Sequence, residues 1–380
     1  MDDALESSEV EIVERAKAWA EESVAPLAEQ WETERRFASE AFASAAEAGL
    51  TGLMAPVEVG GQGFGPVALA STVEAIASVD IGAAFSLVVH NNLVGALARR
   101  GSQVLKDRYL ADMIAGRRLG AFLLTEPEVG SDAAAITTTA HRSGDGWVLD
   151  GAKAWVTNGV AADVLSVYVT TDPAQRHRSI AAFLVDADTP GVERLESYQL
   201  FGGHSMGTAG FTFEGCEVPD EALFVPPPEG FRAAMEGIDL ARLVVGAMCC
   251  GMMKTGLDTA TAYVSQRMAF GRPIADLQAV RFTLSDVATD LEAARLLTYR
   301  AARRLQEGSG AVAVAAAHAK KFATRAAERR LADCMQVMGA AGARRDHPLP
   351  RHLAGSRLTQ YMDGATEIQD VVISRSLLGS

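Results

Sequence analysis

The strongest constraint on the fold is that the hydrophobic period of the chain changes twice. Up to about residue 118, apolar residues recur every three to four positions, which predicts amphipathic helices. Between residues 119 and 225 the period shortens to two and turn residues multiply, which predicts strands. After Pro226-Pro227-Pro228 the helical period returns and continues to residue 380. Helices, strands and helices in that order predict an α+β protein with segregated domains, because a parallel α/β sheet would need alternating βαβ units.

Within the middle third, Asp150-Gly151 lies between two runs of alternating apolar residues, which predicts a hairpin turn. The runs 164–169 and 180–185 predict two further strands. In the last third, residues 284–301 carry one broad apolar face that predicts a long helix, and Gly308-Ser309-Gly310 predicts the link to the next helix.

Composition limits the classes of function. The formal net charge is −13, so long-range repulsion opposes general binding to nucleic acid or to anionic membranes. We see no apolar run suited to spanning a bilayer. The first residues, Met1-Asp2-Asp3-Ala4-Leu5, lack the basic start and apolar stretch of a signal peptide. The 4 cysteines predict neither a disulfide framework nor a zinc site, so a cytoplasmic location is expected.

Two segments of the predicted β domain carry the residue types of a binding site for a planar polar ligand. Residues 122–132 run from an apolar strand through Thr125 to Gly130-Ser131, where glycine permits close approach and hydroxyls supply hydrogen bonds. About twenty-five residues later, Trp155 and Thr157 offer an aromatic wall and a hydroxyl. A capped turn and a core tryptophan are the structural alternatives.

These two segments, and four more in the same order, resemble the acyl-CoA dehydrogenase family. The first two match its Thr-Glu-Pro-x-x-Gly-Ser-Asp and Trp-x-Thr-Asn-Gly patterns. Residues 239–242 match Asp-x-x-Arg, residues 267–271 match Arg-x-x-Phe-Gly, and residues 336–339 match Gln-x-x-Gly. Residues 362–369 are similar to the family's catalytic loop, with Asp363 in place of the usual Glu. The resemblance covers nearly the whole chain.

The resemblance implies an N-terminal helical domain over residues 1–118, a central β-barrel-like domain over 119–225 and a C-terminal four-helix bundle over 226–380. It implies FAD as the cofactor and a homotetramer, or else a dimer, with FAD partly bound across a subunit interface. The residues that it assigns to FAD are Phe122, Leu124, Thr125, Gly130, Ser131, Trp155, Thr157, Arg267, Phe270, Gln278, Gln336, Gly339, Thr366 and Glu367. Those that it assigns to the acyl thioester are Ser131, Asp239, Arg242, Gly364 and Arg375.

The resemblance also implies the reaction, an α,β-dehydrogenation of an acyl thioester. Asp363 would remove the α-proton while the flavin takes hydride from the β-carbon, and the Gly364 backbone would polarise the thioester carbonyl. Some members place the base just before the Arg of Asp-x-x-Arg, but that position is Ala241 here. Electron-transfer flavoprotein or another acceptor would reoxidise the flavin.

Several departures from the family pattern leave alternatives open. Asp363 is one methylene shorter than Glu, and Ala365 stands where a flavin-contacting Thr is usual. Altered flavin chemistry, either monooxygenation or elimination and decarboxylation, is therefore a second hypothesis, and a non-enzymatic scaffold is a third. His204 replaces an Arg, which makes a carrier-protein-bound acyl group an alternative to acyl-CoA. Basic residues near the C-terminus could meet an acidic carrier or form a solvated face: Arg344, Arg345, His347, Arg351, His352 and Arg357.

Overall fold

A computed structural model describes residues 6–379 of the chain. Met1–Leu5, on which the expectation of no signal peptide depends, lie outside this range. The first part of the chain is helical, as the period of its apolar residues predicts. Its helices are α1 (Ser7–Trp19), α2 (Ala25–Glu34), α3 (Ser39–Ala45), α4 (Pro66–Ala77), α5 (Ile81–Arg100), α6 (Gln103–Leu105) and α7 (Ala111–Ile114).

The middle of the chain forms a mixed sheet. Its strands are β1 (Gly120–Leu123), β2 (Thr139–Ser143), β3 (Gly146–Val156), β4 (Val164–Thr170), β5 (Ile180–Asp186), β6 (Val192–Arg194), β7 (Ala209–Pro219) and β8 (Leu223–Val225). The order is β6-β7-β3-β2-β4-β5-β8, and β1 pairs in parallel with β4. The terminal strands β6 and β8 do not pair with each other among the described residues, so the barrel-like sheet stays open.

The hairpin predicted at Asp150-Gly151 is wrong. Strand β3 continues through both residues, and the hairpin turn joins Ser143 to Gly146 instead. The pairing of β3 with β7 shifts register between Leu149 and Gly151, so the turn-like dipeptide is a bulge. Gly151 is required there, because a Cβ would lie 2.7 Å from the Thr138 Cα atom.

Helices return after the sheet. They are α8 (Glu229–Gln266), α9 (Gln278–Glu307), α10 (Val312–Met338), α11 (Leu349–Thr359) and α12 (Thr366–Leu378), with a small hairpin of β9 (Met268–Ala269) and β10 (Arg272–Pro273) between α8 and α9. Helices α8, α9 and α10 pack against one another, and α11 and α12 pack against α10. The predicted glycine link follows α9. Its first residue, Gly308, adopts a left-handed backbone conformation that caps the end of the helix.

The apolar core joins these parts. One cluster connects α1, α4 and α5 to the inner faces of α8 and α10. A second fills the space between α5, the sheet and the start of α8. The site described below lies where the sheet, α8 and α10 meet these two clusters, so its backbone is held by buried apolar packing.

Helix α5 departs from one sequence expectation. It is long and apolar enough to cross a membrane by length and composition, although we expected no such run. In the folded chain, 83% of its most apolar window is buried inside the protein. This burial is typical of a core helix.

Candidate active site

Asp363 lies in the tight loop between α11 and α12, and its backbone is held from two sides. Its φ is +50°, and Gly364 follows at +92°. Arg242 on α8 donates from Nε to the Asp363 carbonyl oxygen at 3.0 Å, and Arg242 Nη1 binds Asp239 at 2.9 Å. Lys320 on α10 donates from Nζ to the Gly364 carbonyl oxygen at 2.9 Å. The structure therefore brings Asp239, Arg242, Asp363 and Gly364 together, as the sequence predicts.

The electrostatics of this loop suit a base that works near neutral pH. Burial raises the pKa of Asp363 to about 6, although Lys320 and Arg242 both act to lower it. Burial lowers the pKa of Lys320 to about 8, against the opposing effect of Asp363. The Asp363 Oδ2 atom is buried and has no hydrogen-bond partner among the described residues. Above about pH 6 the carboxylate is therefore mostly ionised, and its Oδ2 atom is available to accept a proton.

The two segments of the predicted flavin site lie side by side in the sheet. The Ala154 amide donates to the Thr125 carbonyl oxygen at 2.9 Å. Lys153, which is 1% exposed, donates to Glu126 at 2.8 Å and to the Leu124 carbonyl oxygen at 3.0 Å. Burial alone would raise the pKa of Glu126, but Lys153 and the hydrogen bonds from 137–138 hold it down to about 2. This buried ion pair fixes one segment against the other.

Several groups around these segments fit a flavin. Trp155 is 58% exposed, stacks on Tyr198 with ring centroids 4.4 Å apart, and has a φ of +59°. A strained, exposed aromatic wall is a common feature of ligand sites. Ser131 and Gly130 are exposed, whereas Leu124 and Thr157 are buried at the base of the segments. The Thr366 Oγ1 atom is buried without a partner among the described residues, so it can bind a ligand.

A cavity of about 340 Å³ adjoins this region between α5, the sheet and α8. Phe122 on β1 and Leu240 on α8 both line it, so it reaches the predicted flavin segment and the helical turn that carries Asp239. Most of its lining is apolar, with Arg99, Arg100 and Glu236 toward one side. Its other lining residues include Met54, Val89, Asn92, Leu93, Tyr168 and Phe224.

A second group of predicted residues lies at the other end of the bundle. Arg267 follows the last residue of α8, roughly 36 Å along the helix axis from Arg242 at about 1.5 Å per residue. There the ends of α8 and α10 and the start of α9 share an apolar cluster. The residues in this group, all exposed, are Arg267, Phe270, Gln278, Gln336 and Gly339. One chain does not bring them to the Asp363 loop.

The remaining predicted residues are either exposed to solvent or held in contacts within this chain. Arg375 and Glu367 are exposed on α12. His204 is nearly buried, and its Nε2 atom lies 3.1 Å from the Leu200 carbonyl oxygen. The basic residues near the C-terminus pair with carboxylates of this chain: Arg344 with Asp346, Arg345 and Arg351 with Glu29, and Arg357 with Glu328. These pairings favour a structural role for that group.

Comparison with known proteins decides the family. Models of the acyl-CoA dehydrogenase N-terminal, middle and C-terminal domains match residues 6–117, 121–216 and 228–378. The human mitochondrial short-chain specific acyl-CoA dehydrogenase is 35% identical over 370 residues, which cover 97% of this chain and 90% of the relative. The chain belongs to the acyl-CoA dehydrogenase family. It is therefore an oxidoreductase of the kind that acts on CH–CH bonds.

Two solved structures agree with the fold. Butyryl-CoA dehydrogenase from Megasphaera elsdenii superposes with a TM-score of 0.95 at 31% identity, and both chains are covered completely. The FAD complex of PigA superposes with a TM-score of 0.94 at 28% identity and covers 99% of each chain. Both likenesses extend over all three parts of the chain.

The sequence did not reveal three charged residues that hold the segments of this candidate site in place. Glu126 and Lys153 lie inside the two recognised segments, and their opposite charges at predicted strand positions were a signal that they pair. Lys320 lies in an alanine-rich helix beside Lys321, so the pattern gave no sign that it is buried.

Proposed function

We propose that this protein uses FAD to dehydrogenate an acyl thioester between its α and β carbons, with Asp363 as the base. The observation that carries the proposal is the Asp363 carboxylate, whose Oδ2 atom is buried without a partner among the described residues and which lies on a doubly held loop. FAD is the cofactor, and when bound it supplies the acceptor for the β-hydride. Asp363 is the one acidic residue of this loop, residues 360–365.

The protein's own residues would orient the thioester and hold the proton. Because a peptide group is planar, the Arg242 bond to the Asp363 carbonyl oxygen also sets the direction of the Gly364 N–H. That N–H is our proposed donor to the thioester carbonyl, where it would stabilise negative charge as the α-proton leaves. Asp363 would take that proton on Oδ2.

The bound groups are assigned to the surfaces described above. We place the flavin ring among Phe122, Thr125, Trp155 and Thr366, and the acyl chain in the adjoining apolar cavity. Arg267, Phe270, Gln278, Gln336 and Gly339 would hold the rest of FAD for a neighbouring subunit. Ser131 and Arg375 remain proposed contacts of the thioester and its carrier, and Glu367 a proposed contact of FAD.

The partners and compartment follow from the same proposal. The thioester is borne by coenzyme A or by a carrier protein, and electron-transfer flavoprotein or another acceptor reoxidises the flavin. The assembly is a homotetramer, or else a dimer, because the far-end group needs a second chain. The 4 free cysteines are buried, which suits the reducing cytoplasm that we propose.

Anaerobic flavin bleaching tests the proposal. The purified protein is mixed without oxygen with a panel of acyl-CoA thioesters and carrier-bound acyl groups, and flavin absorbance is followed. We expect at least one thioester to bleach the flavin without an added reductant. The Asp363→Ala protein should retain FAD and lose bleaching by a factor of at least about 1,000. Equal bleaching by the variant would show that another group is the base, and bleaching only with an external reductant would favour a monooxygenase.

A further inference from the structure

Two successive peptide groups of the Asp363 loop are held by buried side chains. Arg242 binds the Asp363 carbonyl oxygen, and Lys320 binds the Gly364 carbonyl oxygen. Gln369 gives the Gly364 carbonyl oxygen a second donor, Nε2, at 2.9 Å. Since a peptide group is planar, the two sets of bonds fix both the Gly364 and the Ala365 N–H directions. Of the two charged donors, Lys320 is more deeply buried than Arg242.

Lys320 is unusual for a lysine because its side chain is 0% exposed. A buried ammonium group is costly unless another charge balances it. Lys320 makes its hydrogen bond to a neutral carbonyl oxygen and has no ion-pair partner among the described residues. Asp363 is the acidic group with the largest effect on it, ahead of Cys249 and Glu367. The charge of Lys320 is therefore directed at the Asp363 loop.

The other charged groups near Asp363 are already partly neutralised. Arg242 on α8 is ion-paired with the Asp239 carboxylate at 2.9 Å, so part of its positive charge is balanced there. Glu367, on α12, is exposed to solvent, and water screens its effect. Among the groups that face Asp363 from α8, α10 and α12, Lys320 alone is both cationic and free of a carboxylate partner in the described structure.

We propose that Lys320 is a positioning residue of this active site, which fixes the Gly364 carbonyl oxygen and supplies the charge that keeps Asp363 ionised. The inference rests on the proposed role of Asp363 as the base. It adds a second requirement for proton removal, because the loop must be held and its carboxylate must also be charged. Without Lys320, burial would favour the protonated form of Asp363, which cannot accept the α-proton.

Three substitutions separate the two roles of Lys320. Lys320→Met removes both the donor and the charge, Lys320→Gln retains a donor without charge, and Lys320→Arg retains both. Lys321→Met is the matched control, since Lys321 is the next residue on α10, is partly exposed and pairs with Asp370. FAD content and thermal unfolding show which variants fold.

The decisive measurement is the pH dependence of flavin reduction by butyryl-CoA between about pH 5 and 9. We expect the acid limb to move to higher pH by roughly one unit or more in Lys320→Gln and Lys320→Met, as loss of an opposite charge predicts. The limb should stay within a few tenths of a unit in Lys320→Arg and Lys321→Met. An unmoved limb in folded Lys320→Gln, or an equal shift in Lys320→Arg, would overturn the inference.

A second measurement does not depend on turnover. The carboxylic acid C=O stretch of Asp363 is isolated as the infrared difference between each protein and its Asp363→Asn form, and is followed across the same pH range. Its titration should move upward in Lys320→Gln and stay in place in Lys321→Met. If no thioester bleaches the wild-type flavin, the proposed dehydrogenation fails, whereas this titration still decides whether Lys320 controls the ionisation of Asp363.

Discussion

Asp363 occupies a left-handed backbone conformation that few residues other than glycine adopt. Asp tolerates this region better than most residues, but such a conformation costs on the order of 1 kcal/mol and persists only where neighbours enforce it. Arg242 and Lys320 provide that enforcement through the two loop carbonyl oxygens. The position of the carboxylate therefore depends on the loop backbone as well as on the length of the side chain.

The raised pKa of Asp363 predicts the pH dependence of the reaction. Burial shifts the pKa upward from its usual range to about 6, and the ionised form is the proposed base. We expect kcat/KM for an acyl thioester, which reports the free enzyme, to be constant above about pH 7 and to fall about tenfold per unit below pH 6. Stopped-flow flavin reduction measures this profile. An acid limb near pH 4 would mean that Asp363 is solvated or is not the base.

The sequence predicted Asp363 and its neighbours Arg242 and Gly364 as site residues but missed Lys320, for a physical reason. Asp363, Gly364 and Arg242 lie in motifs whose residue types are set by chemistry, so a pattern can find them. Lys320 is found only when one knows which side of α10 faces the loop, and the helix presents alanines on nearly every side. The apolar periodicity gives the register of such a helix poorly.

At the scale of elements, the site depends on how β1 and β3 are joined. Lys153 on β3 forms a buried ion pair with Glu126, which also accepts hydrogen bonds from the Thr137 and Thr138 amides. Lys153→Met would leave a buried carboxylate without its cation, which costs roughly 3–5 kcal/mol. We expect a large decrease in thermal unfolding temperature and loss of FAD, measured by calorimetry and by flavin absorbance.

Two further variants control this experiment. Arg142 pairs with Asp220 on the surface of the same sheet, with both side chains more than half exposed, so Arg142→Met should cost at most about 1 kcal/mol. Replacing both partners, in Lys153→Met with Glu126→Leu, should recover part of the lost stability because no charge remains buried alone. A Lys153→Met protein as stable as Arg142→Met would show that the pair does not hold the strands together.

The same strands show where local patterns mislead. Asp150-Gly151 has the composition of a tight turn, yet β3 passes through it as a bulge. Tertiary contacts decide the matter, since the Asp150 carboxylate accepts the Gly215 amide of β7 at 2.7 Å and Thr138 fills the space beside Gly151. The helix, sheet and helix order was predictable because it depends on period alone, whereas a bulge depends on a partner strand distant in sequence.

At the scale of the whole molecule, the length of α8 determines which predicted site residues can lie close together in one chain. Arg242 lies about a third of the way along this helix, and Arg267 follows its last residue about 36 Å away. The residue assigned to the thioester and the far-end group assigned to FAD are therefore well separated within one chain, which supports our proposal that Arg267 serves the FAD of a neighbouring chain. The hairpin and the start of α9 near Arg267 also expose large apolar side chains, namely Met268, Phe270 and Phe282. Phe270 is 91% exposed, and such patches mark interaction surfaces.

Mixing two inactive variants tests whether each site is shared between chains. Asp363→Ala lacks the proposed base, and Arg267→Ala lacks the proposed FAD contact. If Arg267 serves the site of a neighbour, a hybrid pair contains one site with both substitutions and one site with neither. Mixing under conditions that exchange subunits should therefore restore thioester-dependent flavin bleaching. Bleaching is followed by flavin absorbance, and light scattering confirms the assembly. If both residues served the same chain's site, every site of the hybrid would carry one substitution and bleaching would stay absent. The control mixture contains Val104→Asp in place of Arg267→Ala. Val104 is an exposed apolar residue on α6, away from the far-end group, so the Val104→Asp protein should bleach normally before mixing.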